Sequence, residues 1–147
     1  MSGLPASCVV DASVAIKLFL PEDYSSDVQE FFAQHFAQPH GCLFVPDLFF
    51  VECANILWKK IRREKYDACK AAADLATLRG FSLPTTLTAD LMERALEIAC
   101  AHGITAYDAC YVALAEARGV PLLTADDRLA ARLTGSSHEV ITLCPQT

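Results

Sequence analysis

Four carboxylates stand where predicted strands end or predicted helices begin. Asp11 closes an apolar strand at residues 7–11, Asp126 follows a strand at 121–124, and Asp108 lies in the first turn of a helix at 106–118. Glu52 lies in the second turn of a helix at 47–64. Clustered carboxylates repel one another, and a hard divalent cation such as Mg²⁺ or Mn²⁺ relieves that repulsion. Such ions activate water and offset charge on phosphate, so the pattern predicts phosphodiester hydrolysis.

Each acid also has a structural explanation. Asp is a preferred N-cap residue, and residues 105–108 and 124–127 fit a Thr-x-x-Asp capping box, so Asp11, Asp108 and Asp127 are also candidates for helix capping. Glu52 lies too far into its helix to cap it. That helix is apolar on all sides and is therefore predicted to be largely buried. A buried ion pair with a distant arginine is the alternative for Glu52.

The far end of the same helix is basic. Residues 59–65 contain five bases and one acid. At about 100° per residue, Glu52, Asn55, Lys59 and Arg63 lie along one face over about 16 Å. Lys59 and Arg63 are therefore candidates for positioning a nucleic-acid backbone beside the acids. The alternative is a solvated basic face at an exposed helix end.

Length and composition exclude several classes of protein. The chain has 147 residues, of which 53% are apolar, enough for a core in one domain spanning residues 1–147. No stretch reaches the roughly 20 uninterrupted apolar residues of a membrane span, and the start lacks a secretion signal, so we expect a cytoplasmic protein. The cysteine count is odd and no Cys-x-x-Cys occurs, which predicts small core residues in a reducing compartment; the cysteines are Cys8, Cys42, Cys53, Cys69, Cys100, Cys110 and Cys144.

The net charge excludes a general nucleic-acid-coating protein. Acids outnumber bases 18 to 12, a formal charge of −6. Such proteins normally carry a basic surface. Two divalent ions in one acidic site would change −6 to −2. An enzyme that holds a short nucleic acid at a metal-loaded groove is therefore compatible with this charge.

Short apolar strands alternate with helical patterns along the chain. This order is typical of a parallel sheet with helices on both faces, in which ligands bind beyond the carboxyl ends of the strands. Strands are predicted at residues 7–11, 42–45, 81–83, 121–124 and 140–143, and helices at 12–20, 24–36, 47–64, 66–78, 89–102, 106–118 and 126–133.

Four segments together resemble the PIN-domain family, and in particular its VapC-type toxins. They are Val-Val-Asp-Ala-Ser-Val-Ala at residues 9–15, Pro-Asp-Leu-Phe-Phe-Val-Glu-Cys-Ala-Asn at 46–55, Thr-Ala-Tyr-Asp-Ala-Cys-Tyr-Val-Ala-Leu-Ala at 105–115 and Pro-Leu-Leu-Thr-Ala-Asp at 121–126. Each segment alone is a weak signal, but all four in order are quite specific. The resemblance extends over residues 8–143.

The resemblance implies a three-layer α/β/α sandwich around a mostly parallel sheet of four to five strands. It implies that one or two Mg²⁺ or Mn²⁺ ions are held by an acid set, with support from polar neighbours. The ion-holding and catalytic residues would be Asp11, Glu52, Asp108 and Asp126, and the supporting residues Ser13, Asn55, Thr124 and Asp127. Whether Asp126 or Asp127 is the fourth acid stays open at this point.

The implied activity is metal-dependent endoribonuclease cleavage. The implied partners are RNA, a VapB-type antitoxin that inserts a basic side chain into the acidic groove, and a second copy in a homodimer, with no membrane. Two alternatives remain from the residues themselves. One is a catalytically silent PIN-like module that binds protein or RNA, and the other is a metal-dependent nuclease or phosphatase with a non-RNA substrate.

Overall fold

A computed structural model describes residues 3–37 and 40–143. Over these residues the chain forms five strands and seven helices. The strands are β1 (Cys8–Val10), β2 (Leu43–Pro46), β3 (Thr85–Thr86), β4 (Leu122–Thr124) and β5 (Val140–Thr142). The helices are α1 (Ala12–Ala15), α2 (Ser25–Ala37), α3 (Leu48–Glu64), α4 (Ala68–Gly80), α5 (Met92–His102), α6 (Ala106–Arg118) and α7 (Asp127–Leu133).

The strands form one sheet in the order β3-β2-β1-β4-β5, and every neighbouring pair is parallel. β1 is central: Val9 pairs with Phe44 of β2 on one side and with Leu122 of β4 on the other. Cys8, Val9 and Val10 are fully buried, as expected for a strand covered on both faces. The predicted α/β fold with a mostly parallel sheet is confirmed.

The helices form a layer on each face of the sheet. The connections from β1 to β2 and from β2 to β3 move in one direction across the sheet, and those from β3 to β4 and from β4 to β5 move in the other. Right-handed crossovers therefore place α1–α4 on one face and α5–α7 on the opposite face. Helix contacts agree, since α3 packs on α1 and α4 while α5 packs on α6. The result is the predicted three-layer α/β/α sandwich.

Helix α6 contains the longest buried run of any helix in the described chain. Its seven consecutive residues Ala109–Ala115 are all buried, and it contacts β1, β2 and β4 on one side and α5 on the other. The small alanines let its backbone approach the sheet closely. This packing fixes the position of Asp108 at the helix start and of Tyr111 one turn later.

The predicted strand at residues 81–83 is wrong, because the edge strand lies at Thr85–Thr86. Ser82 has a φ of 53°, a left-handed conformation that a strand residue does not adopt. Helix α4 extends to Gly80, and Phe81 packs its ring against Phe32 and Phe36. The predicted helix at 12–20 is also shorter, since α1 tightens into a 3₁₀ turn at Ile16–Leu18.

Two expectations about burial are also wrong. Helix α3 is amphipathic rather than buried all round: Phe49, Cys53 and Leu57 are buried, whereas Val51 is 71% exposed and Trp58 50%. The cysteines are not uniformly core residues. Cys144 lies outside the described residues; among the others, Cys8, Cys53 and Cys110 are buried, and Cys42, Cys69 and Cys100 are exposed, all as free thiols.

No single helix of the described chain has the length and hydropathy needed to cross a membrane. The segments Thr88–His102 and Ala106–Arg118 meet both criteria only as a pair, bent by 112° at their junction.

Candidate active site

The predicted acids converge at the point where the direction of the chain connections reverses. β1 and β4 are neighbours, but the chain leaves β1 toward one side of the sheet and β4 toward the other. A crevice opens beyond the carboxyl ends of two such strands, and ligands of open α/β sheets bind there. Asp11 directly follows β1, and Asp126 follows β4 by two residues.

Asp11 is held by two hydroxyl groups. Its side chain is 6% exposed, and its Oδ2 accepts hydrogen bonds from Ser13 Oγ at 2.8 Å and Thr124 Oγ1 at 2.7 Å. It stands at the N-cap position of α1 but makes no side-chain cap bond, so the capping alternative is wrong for Asp11. Both bonds go to the same oxygen, so Oδ1 accepts no side-chain hydrogen bond, while the backbone N–H of Ser13 also favours the ionised carboxylate.

The same hydroxyls tie β1 to the segment that follows β4. Ser13 Oγ accepts from the backbone N–H of Ala125 at 3.0 Å, and Thr124 Oγ1 accepts from that of Asp126 at 3.0 Å. Each hydroxyl thus donates to Asp11 and accepts from the turn that carries Asp126. The expected hydrogen-bonding support by Ser13 and Thr124 is present in the structure.

Asp126 combines a capping role with a place beside Asp11. Its Oδ1 accepts from the backbone N–H groups of Arg128 at 2.9 Å and Leu129 at 3.1 Å, so Asp126, rather than Thr124, caps α7. Its charge raises the pKa values of both Asp11 and Asp108. Asp127 is exposed in the first turn of α7 and contributes to neither shift. The geometry favours Asp126 as the fourth acid.

Asp108 lies half-buried in the first turn of α6. The predicted capping box is half-formed, because Thr105 Oγ1 accepts from the Asp108 N–H at 3.1 Å and caps the helix. Burial raises the pKa of the Asp108 carboxyl, and the charges of Asp11 and Asp126 raise it further. Thr105 is therefore the capping residue, and the Asp108 side chain belongs to the acid cluster.

Glu52 reaches the cluster from α3. Its side chain is partly buried, and its Oε1 is fully enclosed with no hydrogen-bond partner. The nearby Tyr111 hydroxyl is also enclosed and unpaired. The two groups face each other closely enough for the hydroxyl to favour the ionised carboxylate, but their geometry falls short of a hydrogen bond. No arginine pairs with Glu52 within the described residues, so the ion-pair alternative is not supported.

The four acids repel one another. Burial raises the pKa of Glu52 to about 7, and the charges of Asp11 and Asp108 add to the rise. Burial also raises the pKa of Asp11, and the charge of Asp126 adds to it, while the Thr124 and Ser13 hydroxyls oppose it. Each acid is thus within electrostatic reach of at least two others. A group of carboxylates in this state gains stability from a bound cation.

The donor set fits a hard divalent ion. All its atoms are oxygens, which suit Mg²⁺ or Mn²⁺ better than zinc, and Glu52 Oε1 is a buried acceptor that lacks a donor. Within the described residues, no three Asp, Glu, His or Cys side chains stand together in coordination geometry. Binding an ion therefore requires these mutually repelling carboxylates to draw together.

The predicted RNA-contacting residues lie farther along α3. Lys59 and Arg63 are both exposed and, with Trp58 and Arg62, line a cavity of about 230 Å³. Asn55 is exposed one turn beyond Glu52. Lys60 has a structural role instead, since its Nζ lies 3.0 Å from Glu22 Oε1 and 3.0 Å from Glu64 Oε1.

Sequence reasoning missed Tyr111. The residue is fully buried, and its hydroxyl points toward Glu52. A signal was available: Tyr111 lies three residues after Asp108 on the same helix, and residues three apart share a face. A hydroxyl inside the otherwise apolar run Ala109–Ala115 needs a polar neighbour, and an acid of the site supplies it.

Comparison with known protein families places most of the chain within one of them. A family model described as the PIN domain matches residues 8–133. Ribonuclease VapC3 of Pyrobaculum aerophilum is 40% identical over 126 residues, covering 84% of this chain and 92% of that protein. Ribonuclease VapC9 of Mycobacterium tuberculosis is 35% identical over 138 residues, covering 94% and 98%.

Solved structures share the fold. The crystal structure of PAE2754 from Pyrobaculum aerophilum superposes with a TM-score of 0.68 at 24% identity, covering 95% of this chain and 87% of that one. A chain of a toxin-antitoxin complex from Klebsiella pneumoniae superposes with a TM-score of 0.59 at 16% identity, covering 95% and 98%. At these identities the likeness concerns the fold alone.

Proposed function

The chain belongs to the PIN domain family, and from that membership we propose that it is a metal-dependent endoribonuclease, the toxin of a VapBC-type toxin-antitoxin pair. The observation that carries this proposal is the convergence of Asp11, Glu52, Asp108 and Asp126 beside the switch between β1 and β4, with the Glu52 Oε1 enclosed and unpaired. Relatives with 35–40% identity that are named ribonucleases support RNA as the substrate.

The four acids would hold one or two Mg²⁺ or Mn²⁺ ions. The oxygens best placed for this are those that the protein itself leaves unbonded: Oδ1 of Asp11, Oδ2 of Asp126 and Oε1 of Glu52. A divalent ion held there supplies two effects, a lower pKa for a bound water and compensation of charge on the scissile phosphate.

The remaining contributions come from the chain's own residues. Ser13 and Thr124 fix the orientation of the Asp11 carboxylate, and Thr124 also fixes the turn that presents Asp126. Helix α6 positions Asp108 through a rigidly packed backbone. Because the two hydroxyls orient Asp11 before the substrate binds, this carboxylate does not have to reorient during the reaction, which lowers the barrier.

Lys59 and Arg63 would position the RNA backbone. They lie seven and eleven residues beyond Glu52 on α3, about 10 Å and about 16 Å along the helix axis. Both side chains are exposed and can approach phosphates without losing a buried partner. Arginine and lysine at this distance would hold the nucleotides that flank the cleaved bond.

The proposed regulator is a VapB-type antitoxin. The acid cluster has no arginine or lysine paired with it among the described residues, so a basic side chain from a partner would find a complementary site. The Klebsiella pneumoniae toxin-antitoxin complex, one chain of which shares this fold, supports this partner. A homodimer remains a prediction, which sedimentation of the purified protein tests.

Cleavage assays test the proposal directly. Single-stranded RNA, single-stranded DNA and a small phosphate ester are incubated with the purified protein, with Mg²⁺ or Mn²⁺ and with EDTA. We expect internal cuts in RNA only, dependent on the ion. Cleavage of DNA or of the ester in preference to RNA would support the other nuclease or phosphatase, and metal-independent RNA binding without cutting would support a silent binding module.

A further inference from the structure

A cavity on α3 has an aromatic and cationic lining. It measures about 230 Å³ and is lined by Trp58, Lys59, Arg62 and Arg63. No acid belongs to its lining. Its chemistry, one large aromatic ring among three positive charges, is distinct from that of the acid cluster, which lies on the same helix.

Trp58 is unusually exposed for a tryptophan. Its side chain is 50% exposed, although tryptophan is among the most buried residues on average. The Arg62 guanidinium lies 5.0 Å from the centre of the Trp58 ring, in a cation-π arrangement. These two exposed side chains together form an aromatic, positively charged platform at the surface.

The platform lies near the acids but does not contact them. Trp58 is six residues beyond Glu52, so the two are about 9 Å apart along the axis of α3. In rotation they differ by about 120°, so Trp58 lies on a different face of α3 from Glu52, but it lines one cavity together with Lys59 and Arg63 of the row that begins at Glu52. A strand whose phosphates follow that row could turn one base toward Trp58.

We propose that this Trp58 pocket is a nucleotide subsite that binds one unpaired base of single-stranded RNA. The base stacks on the Trp58–Arg62 platform, and Lys59 and Arg63 contact the flanking phosphates. The inference rests on the proposed function and deepens it, because it makes the substrate single-stranded on one side of the cleaved bond.

The chemistry of the pocket favours RNA over an acidic peptide. Three cations alone would attract either, but a half-exposed indole ring also offers a stacking surface for a flat nucleobase, which the acidic side chains of a peptide cannot use. Bases splayed from single strands stack on aromatic rings and on arginine guanidinium planes, whereas bases inside a duplex are not available. The pocket should therefore discriminate between paired and unpaired RNA.

The chain offers a direct probe, since Trp58 is its single tryptophan. Intrinsic fluorescence is measured on the full-length Asp11→Asn protein, which cannot degrade the titrant, with EDTA present. The titrants are a single-stranded oligoribonucleotide, the same sequence as a duplex, inorganic polyphosphate and polyglutamate. Saturable quenching by the single strand that exceeds that by the other three supports the pocket. Equal effects of all four, or none, would overturn it.

Variants separate stacking from charge. We expect Trp58→Ala to weaken single-strand binding about tenfold, measured by anisotropy of a labelled RNA, in line with the loss of one stacked base. Trp58→Phe should retain part of the affinity. Leu96→Ala, which removes another exposed apolar side chain on α5, is the matched control and should bind as the parent does.

The two proposals fail in different ways. If wild-type protein cuts RNA and Trp58→Ala cuts it with the same KM and kcat, the subsite is wrong and the nuclease stands. If wild-type protein cuts no RNA but the single strand still quenches Trp58 selectively, the nuclease is wrong and the pocket stands. A fluorescence change that follows protein concentration alone would show that a second copy covers Trp58 and would overturn the subsite.

Discussion

The hydroxyl of Tyr111 and the Oε1 of Glu52 face each other as two buried polar atoms, neither of which has a hydrogen-bond partner in the described structure. Burial and the charges of Asp11 and Glu52 raise the pKa of Tyr111 far above its usual value, so its hydroxyl stays protonated. A small movement would let it donate to Glu52. Tyr111 is thus poised to orient a carboxylate that the proposed metal site uses.

Replacing Tyr111 by phenylalanine tests this relationship. We expect Tyr111→Phe to weaken Mn²⁺ binding by about tenfold or more, measured by isothermal titration, because partners that orient metal ligands typically contribute 10- to 100-fold. Tyr66→Phe is the matched control: it removes a hydroxyl that donates to Asp74 at 2.5 Å, away from the acids. Unchanged Mn²⁺ affinity in Tyr111→Phe would show that Tyr111 is only a core residue and does not orient a metal ligand.

The pair Asp126→Asn and Asp127→Asn separates the two adjacent acids. We expect Asp126→Asn to lower RNA cleavage by at least about 100-fold, more than the loss of a residue that only orients a ligand. The side-chain oxygen of asparagine can still accept the capping hydrogen bonds from the backbone N–H groups of Arg128 and Leu129, so the fold should be kept. Asp127→Asn should cleave RNA at a rate within a few-fold of the wild-type rate. The reverse order of effects would make Asp127 the fourth acid.

Thr124→Val removes a hydroxyl that lies 3.4 Å from Ser13 Oγ and has two closer partners. It deletes the donor to Asp11 and leaves the N–H of Asp126 without its acceptor. We expect a loss of about 1–3 kcal/mol in the free energy of unfolding and about 10- to 100-fold in cleavage. Urea unfolding and an RNA assay measure the two effects. Thr77→Val, whose hydroxyl bonds only to the Ala73 carbonyl on an exposed helix face, should change neither by a comparable amount.

The contribution of Glu52 to the stability of the metal-free protein should fall as pH rises. Burial raises the pKa of Glu52 from 4.5 to about 7, so between these values the folded state binds the extra proton. This contribution to the free energy of unfolding therefore falls from about pH 4.5 to about pH 7, and the loss is complete above that range. Glu52→Gln removes this contribution. The free energy of unfolding of Glu52→Gln minus that of wild type should be about 1 kcal/mol higher at pH 8 than at pH 5, after allowance for solvent screening.

Urea unfolding in EDTA at both pH values measures the difference. Glu93→Gln, an exposed change in the first turn of α5, is the control and should follow wild type at both. An identical pH dependence in Glu52→Gln and wild type would show that Glu52 is solvated in the folded protein.

Cation binding should stabilise the protein through the same acids. We expect millimolar Mn²⁺ to raise the Tm of wild type, because a ligand that binds only the folded state stabilises it by mass action. Asp11→Asn should lose most of this increase, while its Oδ1 can still accept the Ser13 and Thr124 bonds and preserve the fold. An equal increase in both proteins would place the Mn²⁺ elsewhere.

Most of the fold was predictable because its signals are local. Short apolar runs ended by Pro or Asp give β1, β2 and β4, and the start of α6 was predictable from Thr105, which caps it. Strand β3 was not, because two threonines carry almost no pattern and the more apolar segment before them contains Ser82 in a left-handed conformation. Edge strands held by a few backbone bonds leave little trace in a sequence.

The site was predictable in its residues but not in its contacts. Asp11 and Asp126 could be named because they follow strands, Asp108 and Glu52 because they lie in early helical turns, and Ser13 and Thr124 because of the family resemblance. That Asp126 repels Asp11, and that Tyr111 faces Glu52, depends on packing between elements distant in sequence. The prediction that α3 is buried on all sides was wrong for the same reason: burial depends on packing with other elements, and Val51 and Trp58 remain exposed although they are apolar.

The hydrogen bond between Thr124 and Asp11 joins residues 113 positions apart. During synthesis, β1, α1 and Glu52 of α3 therefore leave the ribosome well before β4, which carries Thr124. A nascent chain that ends before residue 124 has only one of the two hydroxyls that hold Asp11, that of Ser13, and lacks the fourth acid. For the proposed RNA-cutting enzyme, a chain still under synthesis therefore lacks part of the proposed site until β4 and the turn after it have been made.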